Sequence, residues 1–573
     1  MEKIWLKHYD PGVPETIDYP RLTLQQLLEE SANRFPKQTA IIFPGAFDDE
    51  YLMSYRDLAE KSNRLANALV DLGVKKGDRV ALLLPNCPQF VITYYAVLKV
   101  GGIVVATNPL YSPREIEFQL NDCGAEIIIL LSLFYKTVMG LKERTNLKNV
   151  VVTNIKEYLP PHSRKMFTMF VERQEGHRVR IPKVKNIHKF QDLLRRFDST
   201  PPSVAVGSED VAMFQYTGGT TGLSKAAVAT HFNVLANVLQ MRAWGGPLGL
   251  DEGKEVILGV MPLFHVYGMV VVMHFAVLGG AAMVLLPRWE TEQVLKAINR
   301  YKPSYFPGVP TMYIALNNHP EVSKYDLRSI RLCNSGAAPL PLEVQQTFTG
   351  LTGAKLSEGY GLSEAPTATH ANPVVGMRKT GSIGVPLPDV EAKIMDAETG
   401  EKEMPLGEVG ELVIRGPQVM KGYWNRPEET EMVLRKGWLY TGDLARMDED
   451  GFFSIVDRKK EMIIASGFNI YPRDVEEVLY EHPKVKEAVC YGVPDPYRGQ
   501  TVKVCIVLKE GETCTPDEIT EFCQPRLARY KVPKLVEFRD GLPKSLIGKV
   551  LRRVLMEEEE AKLKDADKEQ VEK

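Results

Sequence analysis

Four short apolar runs between residues 80 and 153 constrain the fold more than any other feature of this sequence. VALLLP, GIVVAT, EIIILL and NVVVT are each of strand length, and amphipathic stretches separate them. Continuous apolar character indicates strands that are buried on both faces, as in parallel sheets covered by helices. The middle of the chain is therefore predicted to be α/β, with largely parallel sheets.

The pattern changes after about residue 387. EAKIMD, GELVIRG and FFSIVD are alternating strands punctuated by glycine, which predicts a small β-subdomain. HPKVKEAVCYGVP, TVKVCIVLK and LVEFRD, between about residues 461 and 557, indicate a compact α+β domain. The acidic last stretch, MEEEEAKLKDADKEQVEK, is predicted to be a frayed helix. More than one domain is expected, because 573 residues exceed the usual size of a single core.

Charge and cysteine usage exclude several classes of protein. The net charge is −2, and no global basic excess points to nucleic acid. The seven cysteines show no CxxC or CxxH spacing, which argues against a disulfide framework or a zinc site and for a reducing compartment. The N-terminal residues MEKIWLKHYDPG lack the apolar core of a signal peptide. We therefore expect a cytoplasmic protein.

Residues 256–287 contain no Asp, Glu, Lys or Arg, and residues 269–286 are long enough to resemble a membrane span. His274 and the pair Gly279-Gly280 interrupt this segment. We predict a buried helix followed by a buried strand, AAMVLL, rather than a span.

The stretch YTGGTTGLSK, residues 216–225, follows the predicted strand VAMFQY directly. Its glycines let backbone amides approach an anion, and its threonine hydroxyls and Lys225 add donors and charge. It is not a Walker loop, because Leu223 follows Gly222 where that pattern requires lysine. The sequence favours a phosphate-binding loop over the alternative, a flexible surface hairpin.

Six motifs in order carry a resemblance over residues 24–556, nearly the whole chain: YTGGTTGLSK, MPLFHVYG, EGYGLSE, WLYTGDLA, VDRKKEMIIASGFNIYP and PKSLIGK. This order resembles the adenylate-forming superfamily of acyl-CoA synthetases, coumarate ligases, luciferases and peptide-synthetase adenylation domains. The block KGWLYTGDLARMDEDGFFSIVDRKKEMI is similar to the signature of fatty acyl-CoA synthetases, and also to that of coumarate ligases. The sequence is most like the bacterial and archaeal long-chain fatty-acid–CoA ligases.

The resemblance implies a large N-terminal domain of two β/α subdomains plus a β-subdomain, and a small mobile α+β C-terminal domain. It implies two reactions: a carboxylate and ATP give acyl-AMP and pyrophosphate, and the thiol of coenzyme A then displaces AMP. ATP, Mg²⁺ and coenzyme A are thus expected. We place the N-terminal domain at 1–457, the hinge at 458–460, the cap domain at 461–557 and the acidic tail at 558–573.

The resemblance also implies which residues form the nucleotide site, because the family's motifs can be matched to this sequence residue by residue. The ATP and AMP contacts would come from Thr217, Gly218, Gly219, Thr220, Thr221, Gly222, Lys225, Gly336, Ala337, Ala338, Gly359, Tyr360, Gly361, Leu362, Ser363, Asp443, Ile455, Arg458 and Lys549.

Several of these residue types suit their implied roles. Thr217 and Glu364 would supply the oxygen ligands that Mg²⁺ requires; the alternative for Glu364 is a solvated loop acid. Tyr360 offers a flat face for adenine, or is simply packed. Asp443 would accept both ribose hydroxyls, with Arg458 as a second contact.

Catalysis and acyl transfer are assigned to further residues. Lys549 would bridge the attacking carboxylate and the α-phosphate; without the family it is one of many exposed lysines. His265 would lie at the acyl-phosphate junction, the alternative being a core histidine. Lys460 aligns with the hinge about which the cap would rotate between the two reactions. Coenzyme A would pass Ser466, Gly467 and Phe468.

The acid itself is predicted from residues 256–287, which hold no carboxylate to pair with the ammonium of an amino acid. A neutral apolar tail is favoured: a medium- or long-chain fatty acid first, an aromatic acid such as a cinnamate second. A rival of another class is a fatty-acid-binding or transport protein without catalysis. The sequence leaves monomer and homodimer open.

Residues 164–196 carry ten Lys or Arg against three acids, interleaved with MFTMF, VRI and FQDLL. Such a segment can lie on an anionic membrane, where fatty acids partition, which would place the protein on the inner face of the membrane. The alternative is a solvated, merely basic surface of a cytoplasmic enzyme.

Overall fold

The computed structural model describes residues 3–217, 224–338, 340–354, 356–465, 468–495, 498–545 and 550–571. The chain forms two compact units, Met1–Glu391 with Arg415–Leu439, and Ala392–Ile414 with Tyr440–Lys573. The second unit includes residues 440–457, which the sequence analysis assigns to the N-terminal domain. The boundary at residue 457 and the hinge at 458–460 stay predictions.

The strands of the described residues are, in chain order, β1 (Thr39–Pro44), β2 (Glu50–Ser54), β3 (Arg79–Leu83), β4 (Ile103–Ala106), β5 (Ile127–Leu131), β6 (Asn149–Thr153), β7 (Ile187–Lys189), β8 (Val211–Thr217), β9 (Lys225–Thr230), β10 (Val256–Gly259), β11 (Ala282–Leu285), β12 (Tyr305–Gly308), β13 (Leu332–Ser335), β14 (Leu356–Leu362), β15 (Ala365–Ala371), β16 (Val385–Pro386), β17 (Glu391–Met395), β18 (Gly410–Arg415), β19 (Gly422–Tyr423), β20 (Leu434–Arg435), β21 (Trp438–Met447), β22 (Phe453–Arg458), β23 (Ile463–Ala465), β24 (Phe468–Ile470), β25 (Val485–Asp495), β26 (Gly499–Leu508) and β27 (Leu535–Phe538).

The α-helices are α1 (Leu24–Arg34), α2 (Tyr55–Asp71), α3 (Pro88–Lys99), α4 (Pro113–Cys123), α5 (Tyr135–Leu141), α6 (Pro161–Met166), α7 (Phe190–Arg196), α8 (His231–Trp244), α9 (Phe275–Gly279), α10 (Thr291–Tyr301), α11 (Pro310–Asn317), α12 (Leu342–Thr352), α13 (Pro427–Val433), α14 (Pro472–Tyr480), α15 (Pro516–Cys523) and α16 (Arg552–Val571). Two π-helices cover Phe167–Val171 and Tyr267–His274.

The four apolar runs form β3, β4, β5 and β6, and all their mutual pairings are parallel, as predicted. They belong to an eight-stranded sheet of order β19-β9-β8-β4-β3-β5-β6-β7. A nine-stranded sheet in the same unit has the order β16-β15-β14-β13-β12-β10-β11-β1-β2. Strands β3 and β5 are buried almost throughout, as is typical of a parallel sheet with helices on both faces. The predicted α/β class is confirmed.

Capping boxes in the sequence mark the first residues of helices α2 and α8. The Ser54 hydroxyl accepts the Asp57 amide at 3.1 Å, and the Asp57 carboxylate accepts the Ser54 amide at 3.3 Å, which fixes the start of α2. Thr230 and Asn233 make the same reciprocal pair at the start of α8. Helix α8 therefore begins directly where β9 ends.

The apolar segment 256–287 is buried structure, as predicted. It contains strand β10, the π-helix Tyr267–His274, helix α9 and strand β11. His274 is fully buried, with hydrogen bonds of 3.0 Å to the Tyr95 hydroxyl and 3.1 Å to the Tyr94 hydroxyl. Within the described ranges, no helix combines the length and the apolar character needed to cross a membrane.

The β-rich and C-terminal segments form two five-stranded sheets. One has the order β17-β18-β21-β20 with β22 paired to β21, and the other β24-β23-β26-β25 with β27 paired to β26. Helix α16 includes residues 558–571 of the acidic tail, and Leu555 near its start is fully buried. All seven cysteines are free, and six of them are buried.

Candidate functional site

The predicted phosphate loop joins two antiparallel strands. Strand β8 ends at Thr217 and β9 begins at Lys225, and these two residues are register partners. Gly218, Gly219, Thr220, Thr221 and Gly222 lie outside the described residues. The structure therefore confirms the strand before the loop and gives the position of both of its ends.

Glu364 lies at the turn between β14 and β15, at one edge of the nine-stranded sheet. The Tyr423 hydroxyl donates to Oε1 of Glu364 at 2.8 Å, and the backbone amide of Met420 donates to the Glu364 carbonyl at 2.8 Å. Burial and the Glu364 charge raise the pKa of Tyr423, so its phenol stays a neutral donor. The Glu364 carboxylate, which is predicted to bind metal, is thus hydrogen-bonded to Tyr423 of the eight-stranded sheet.

The Lys225 ammonium lies over the face of the Tyr423 ring. Its Nζ is 5.5 Å from the ring centroid and 3.9 Å from Oε1 of Glu429. Glu429 also pairs with a second cation, Arg426, at 3.9 Å, and Arg426 in turn lies 2.8 Å from Asp122. The Asp122 carboxylate in turn accepts the Tyr216 hydroxyl at 2.7 Å.

The small residues predicted to face the nucleotide follow β13. Gly336 has its α-carbon against Tyr267, because an added Cβ would lie 3.4 Å from that ring. Ala337 has a φ of +67°, a left-handed conformation that a non-glycine residue adopts at a free-energy cost of about 1–2 kcal/mol. Ala338 is half-buried. A strained residue such as Ala337 is often found in a binding loop.

EGYGLSE forms the end of β14. Gly359, Tyr360, Gly361 and Leu362 are strand residues, and Ser363 follows them in the turn that leads to Glu364. A Cβ at Gly361 would lie 1.5 Å from the Thr367 carbonyl oxygen, so only glycine fits. The Tyr360 ring is half-buried and meets His370 edge-on at 6.0 Å between centroids.

His265 is half-buried in the turn before the π-helix. Its Nδ1 accepts the Tyr267 amide at 3.2 Å, and its carbonyl accepts the Met269 amide at 2.9 Å. The neighbouring Phe264 carbonyl accepts from Gln215 of β8 at 3.4 Å. His265 thus lies beside the strand that leads into the phosphate loop, and it differs from the fully buried His274.

The second unit holds Asp443 and Arg458 as register partners of β21 and β22. Arg458 Nε is 3.3 Å from Oδ1 of Asp443, which is 9% exposed. Ile455 lies in β22, and its carbonyl accepts from Arg473. Lys460 follows β22 at the predicted hinge. Lys549, Ser466 and Gly467 lie outside the described residues, and Phe468 begins β24.

Oxygen donors suit the predicted Mg²⁺. Thr217 and Glu364 offer a hydroxyl and a carboxylate, the ligand types that a hard cation prefers. Among the residues that the structure describes, no group of three or more His, Cys, Asp or Glu is close enough to hold a metal ion. Thr217 and Glu364 therefore fit a Mg²⁺ ion that binds together with ATP and takes its remaining ligands from the phosphates.

Sequence reasoning missed Tyr423, which no predicted motif includes. It also missed Asp457, although that residue lies inside VDRKK. Gly422 and the sequence Asn425-Arg426-Pro427 are turn signals on either side of Tyr423. These turn signals are the sequence features that could have drawn attention to this residue.

Residues 28–424 match the family model of the AMP-binding enzymes, and residues 474–549 match the C-terminal domain of AMP-binding enzymes. This chain belongs to the AMP-binding enzyme family. Together with the full-length relatives described next, this membership confirms activation of a carboxylic acid by ATP, with coenzyme A as acyl acceptor, as its reaction class, and ATP, Mg²⁺ and coenzyme A as its cofactors. A purely non-catalytic binding protein is set aside.

Two curated relatives and one solved structure are similar over nearly their whole lengths. A long-chain-fatty-acid–CoA ligase of Bacillus subtilis is 48% identical, over 97% of this chain and 98% of its own. A feruloyl-CoA synthase of Amycolatopsis is 34% identical, over 91% and 96%. ATP-bound MatB of Rhodopseudomonas palustris superposes with a TM-score of 0.81 at 28% identity, over 94% and 99%.

Proposed function

We propose that this enzyme activates a medium- or long-chain fatty acid. The carboxylate attacks the α-phosphorus of ATP, the bond to the β-phosphate breaks, and acyl-AMP and pyrophosphate form. The thiol of coenzyme A then attacks the acyl carbon and displaces AMP. The observation that carries the proposal is the 48% identity to a long-chain-fatty-acid–CoA ligase over almost both complete chains.

The apolar segment after His265 supports the same substrate. Every residue of the π-helix Tyr267–His274 is buried, and residues 256–287 contain no acid or base other than histidine. An amino-acid substrate would leave its ammonium without a carboxylate partner against such a wall. A neutral hydrocarbon tail needs no partner.

The site residues receive roles within this proposal. Lys225 and the loop 217–222 would bind the β- and γ-phosphates, Gly336 to Ala338 and Tyr360 the adenine, and Asp443 with Arg458 the ribose. Mg²⁺ held by Thr217, Glu364 and the phosphates would neutralise charge as the α-phosphorus is attacked. Lys549 would stabilise that charge during adenylation, and Ser466 to Phe468 would line the path of coenzyme A.

An aromatic acid is the second candidate, and the similarity to a feruloyl-CoA synthase favours it specifically. ATP–pyrophosphate exchange tests the proposal directly, because exchange requires reversible adenylate formation. A fatty acid should support exchange, and cinnamate should support it weakly. No acid-dependent exchange at all would overturn the proposed activity.

We also propose that the enzyme docks on anionic membranes through a docking patch, defined as Phe47, Met169 and Phe170. These side chains are 48%, 61% and 57% exposed, and Phe47 packs edge-on against His162 of the helix that leads to Met169. The segment 164–196, with ten cations, begins in the same helix. Each cation near an anionic surface contributes on the order of 1 kcal/mol.

Sedimentation with phosphatidylserine-containing liposomes at low salt tests the docking. Replacing Met169 and Phe170 by serine should reduce binding several-fold, as should glutamine at Lys165, Arg173 and Lys185. Met432 is equally exposed, at 59%, and lies in α13, so Met432→Ser is the matched control. Absent binding by the unmodified enzyme, or binding unchanged in both variants, would leave a purely cytoplasmic enzyme with a solvated basic surface.

A further inference from the structure

Residues 420–424 form a strap that joins the two sheets of the first unit. The Lys421 and Trp424 amides donate to the Val228 and Ala226 carbonyls of β9, each at 2.9 Å. At the other end the Met420 amide donates to the Glu364 carbonyl at 2.8 Å. The strap is therefore fastened both to the strand that begins with Lys225 and to the turn that carries Glu364.

The backbone of the strap is fixed by Gly422. Its φ is +144°, and a Cβ there would lie 2.6 Å from Cγ2 of Thr430. The Thr430 hydroxyl accepts the Tyr423 amide at 2.9 Å. Because the strap can neither shift nor rotate at this point without losing these contacts, the direction of the Tyr423 side chain is set by the fold.

Tyr423 contacts the two charged groups at the phosphate loop with different parts of its side chain. Its hydroxyl donates to Glu364 at 2.8 Å, while its ring face lies 5.5 Å from the Lys225 ammonium. A hydrogen bond to a carboxylate restricts the carboxylate's rotation and is stronger than a neutral one. One side chain thus contacts an anion through its hydroxyl and a cation through its ring face.

We propose that Tyr423 is a positioning residue for metal-assisted ATP binding. It orients the Glu364 carboxylate toward the metal and keeps Lys225 directed at the phosphates, so that neither group reorganises when Mg·ATP binds. This inference rests on the proposed role of Glu364 as a metal ligand. Tyr423 itself touches neither the phosphates nor the reacting atoms in this account.

The test is Tyr423→Phe in the full-length enzyme, with ATP affinity measured by calorimetry at a series of Mg²⁺ concentrations. We expect the Mg²⁺ concentration that gives half-maximal ATP affinity to rise about tenfold, the size expected for one hydrogen bond to a charged group. Tyr423→Leu, which also removes the ring under Lys225, should weaken ATP binding further. ATP affinity without Mg²⁺ should be nearly unchanged in Tyr423→Phe.

Tyr19 supplies a matched control in the same unit. Its hydroxyl donates to the Asp389 carboxylate at 2.7 Å, and burial raises the pKa of Tyr19 as it does that of Tyr423. Tyr19→Phe removes the same kind of bond and should leave the Mg²⁺ dependence unchanged. A shift as large as that of Tyr423→Phe would show a general loss of stability and overturn the inference.

A double-mutant cycle with Glu364→Gln separates the inference from the proposed function. Glu364→Gln should weaken Mg·ATP binding by orders of magnitude with the fold intact, and Tyr423→Phe should add little to it. If Glu364→Gln leaves the Mg²⁺ dependence unchanged, the metal role of Glu364 fails. If Glu364→Gln shifts it and Tyr423→Phe does not, or if the two effects are additive, the positioning role alone fails.

Discussion

The Asp457 carboxylate caps helix α14 by accepting the backbone amide of Arg473 at 2.9 Å. The helix's own N-cap residue, Tyr471, makes no side-chain capping hydrogen bond. Asp457 also lies 3.8 Å from Arg552, whose guanidinium donates to both Glu476 oxygens at 2.7 Å and to Glu461. Asp457 precedes the predicted hinge residue Lys460 and Arg473 follows it, so this hydrogen bond joins chain segments on either side of the predicted hinge.

Asp457→Ala should therefore shift the balance between the half-reactions. Loss of an N-cap costs about 1 kcal/mol, or roughly fivefold in a conformational equilibrium. We expect one half-reaction to slow and the other to stay constant or rise. Asp457→Asn keeps an acceptor oxygen and should have a smaller effect. ATP–pyrophosphate exchange and thioester formation from supplied acyl-AMP give the two rates, and an equal change in both would speak against the hinge role.

Lys549→Ala should slow adenylate formation on the order of 10²–10³-fold, because the charge at the α-phosphate would lose the cation proposed to stabilise it. The variant should still make thioester from supplied acyl-AMP. Near-normal pyrophosphate exchange in this variant would contradict the catalytic role proposed for Lys549.

Lys460→Pro should give the converse pattern, because proline removes an amide donor and fixes φ at the hinge. Adenylation should be retained and thioester formation lost. Measuring both half-reactions on one preparation is decisive, since equal losses would mean that the cap domain does not alternate about this residue.

Buried histidines should make the fold sensitive to acid. Burial lowers the pKa of His274 and of His370 to about 3 and that of His231 to about 4, against an ordinary 6.5. As the pH falls below about 6.5, the unfolded chain binds protons that the folded chain does not, so stability falls by up to ~1.4 kcal/mol per pH unit for each histidine.

Thermal unfolding midpoints between pH 7 and pH 4.5 would show this dependence. His274→Gln should flatten the profile even if it lowers the midpoint, because one differentially protonated group is gone. His162 is exposed, and His162→Gln is the control that should leave the slope unchanged. Parallel profiles for all three proteins would contradict the prediction.

The sequence patterns correctly predicted the strands and buried segments, which depend mainly on interactions between residues close together in the chain. The apolar runs became buried parallel strands, VAMFQY became β8, and residues 256–287 became buried helix and strand. The two π-helices were not predicted, because nothing in their residue pattern distinguishes them from α-helices.

Contacts between distant parts of the chain could not be read from the sequence. Tyr423 and Glu364 are 59 residues apart, and Arg552 and Glu461 are 91 apart. Their pairing depends on how β19 adds to the sheet beside β9 and how α16 packs on β25, which no window of sequence encodes. The resemblance supplied candidate ligands, and the structure supplied the residues that hold one of them.

The most direct test of the account is the specificity constant, kcat/KM, for acyl-CoA formation from acetate, cinnamate and saturated fatty acids of increasing length. Each methylene buried in an apolar pocket contributes about 0.8 kcal/mol, roughly fourfold. We predict that kcat/KM rises steeply with chain length, reaches a plateau at medium or long chains, and exceeds that for cinnamate there by at least ~10²-fold. A value for cinnamate above that of every fatty acid, or no dependence on chain length, would contradict the proposed substrate.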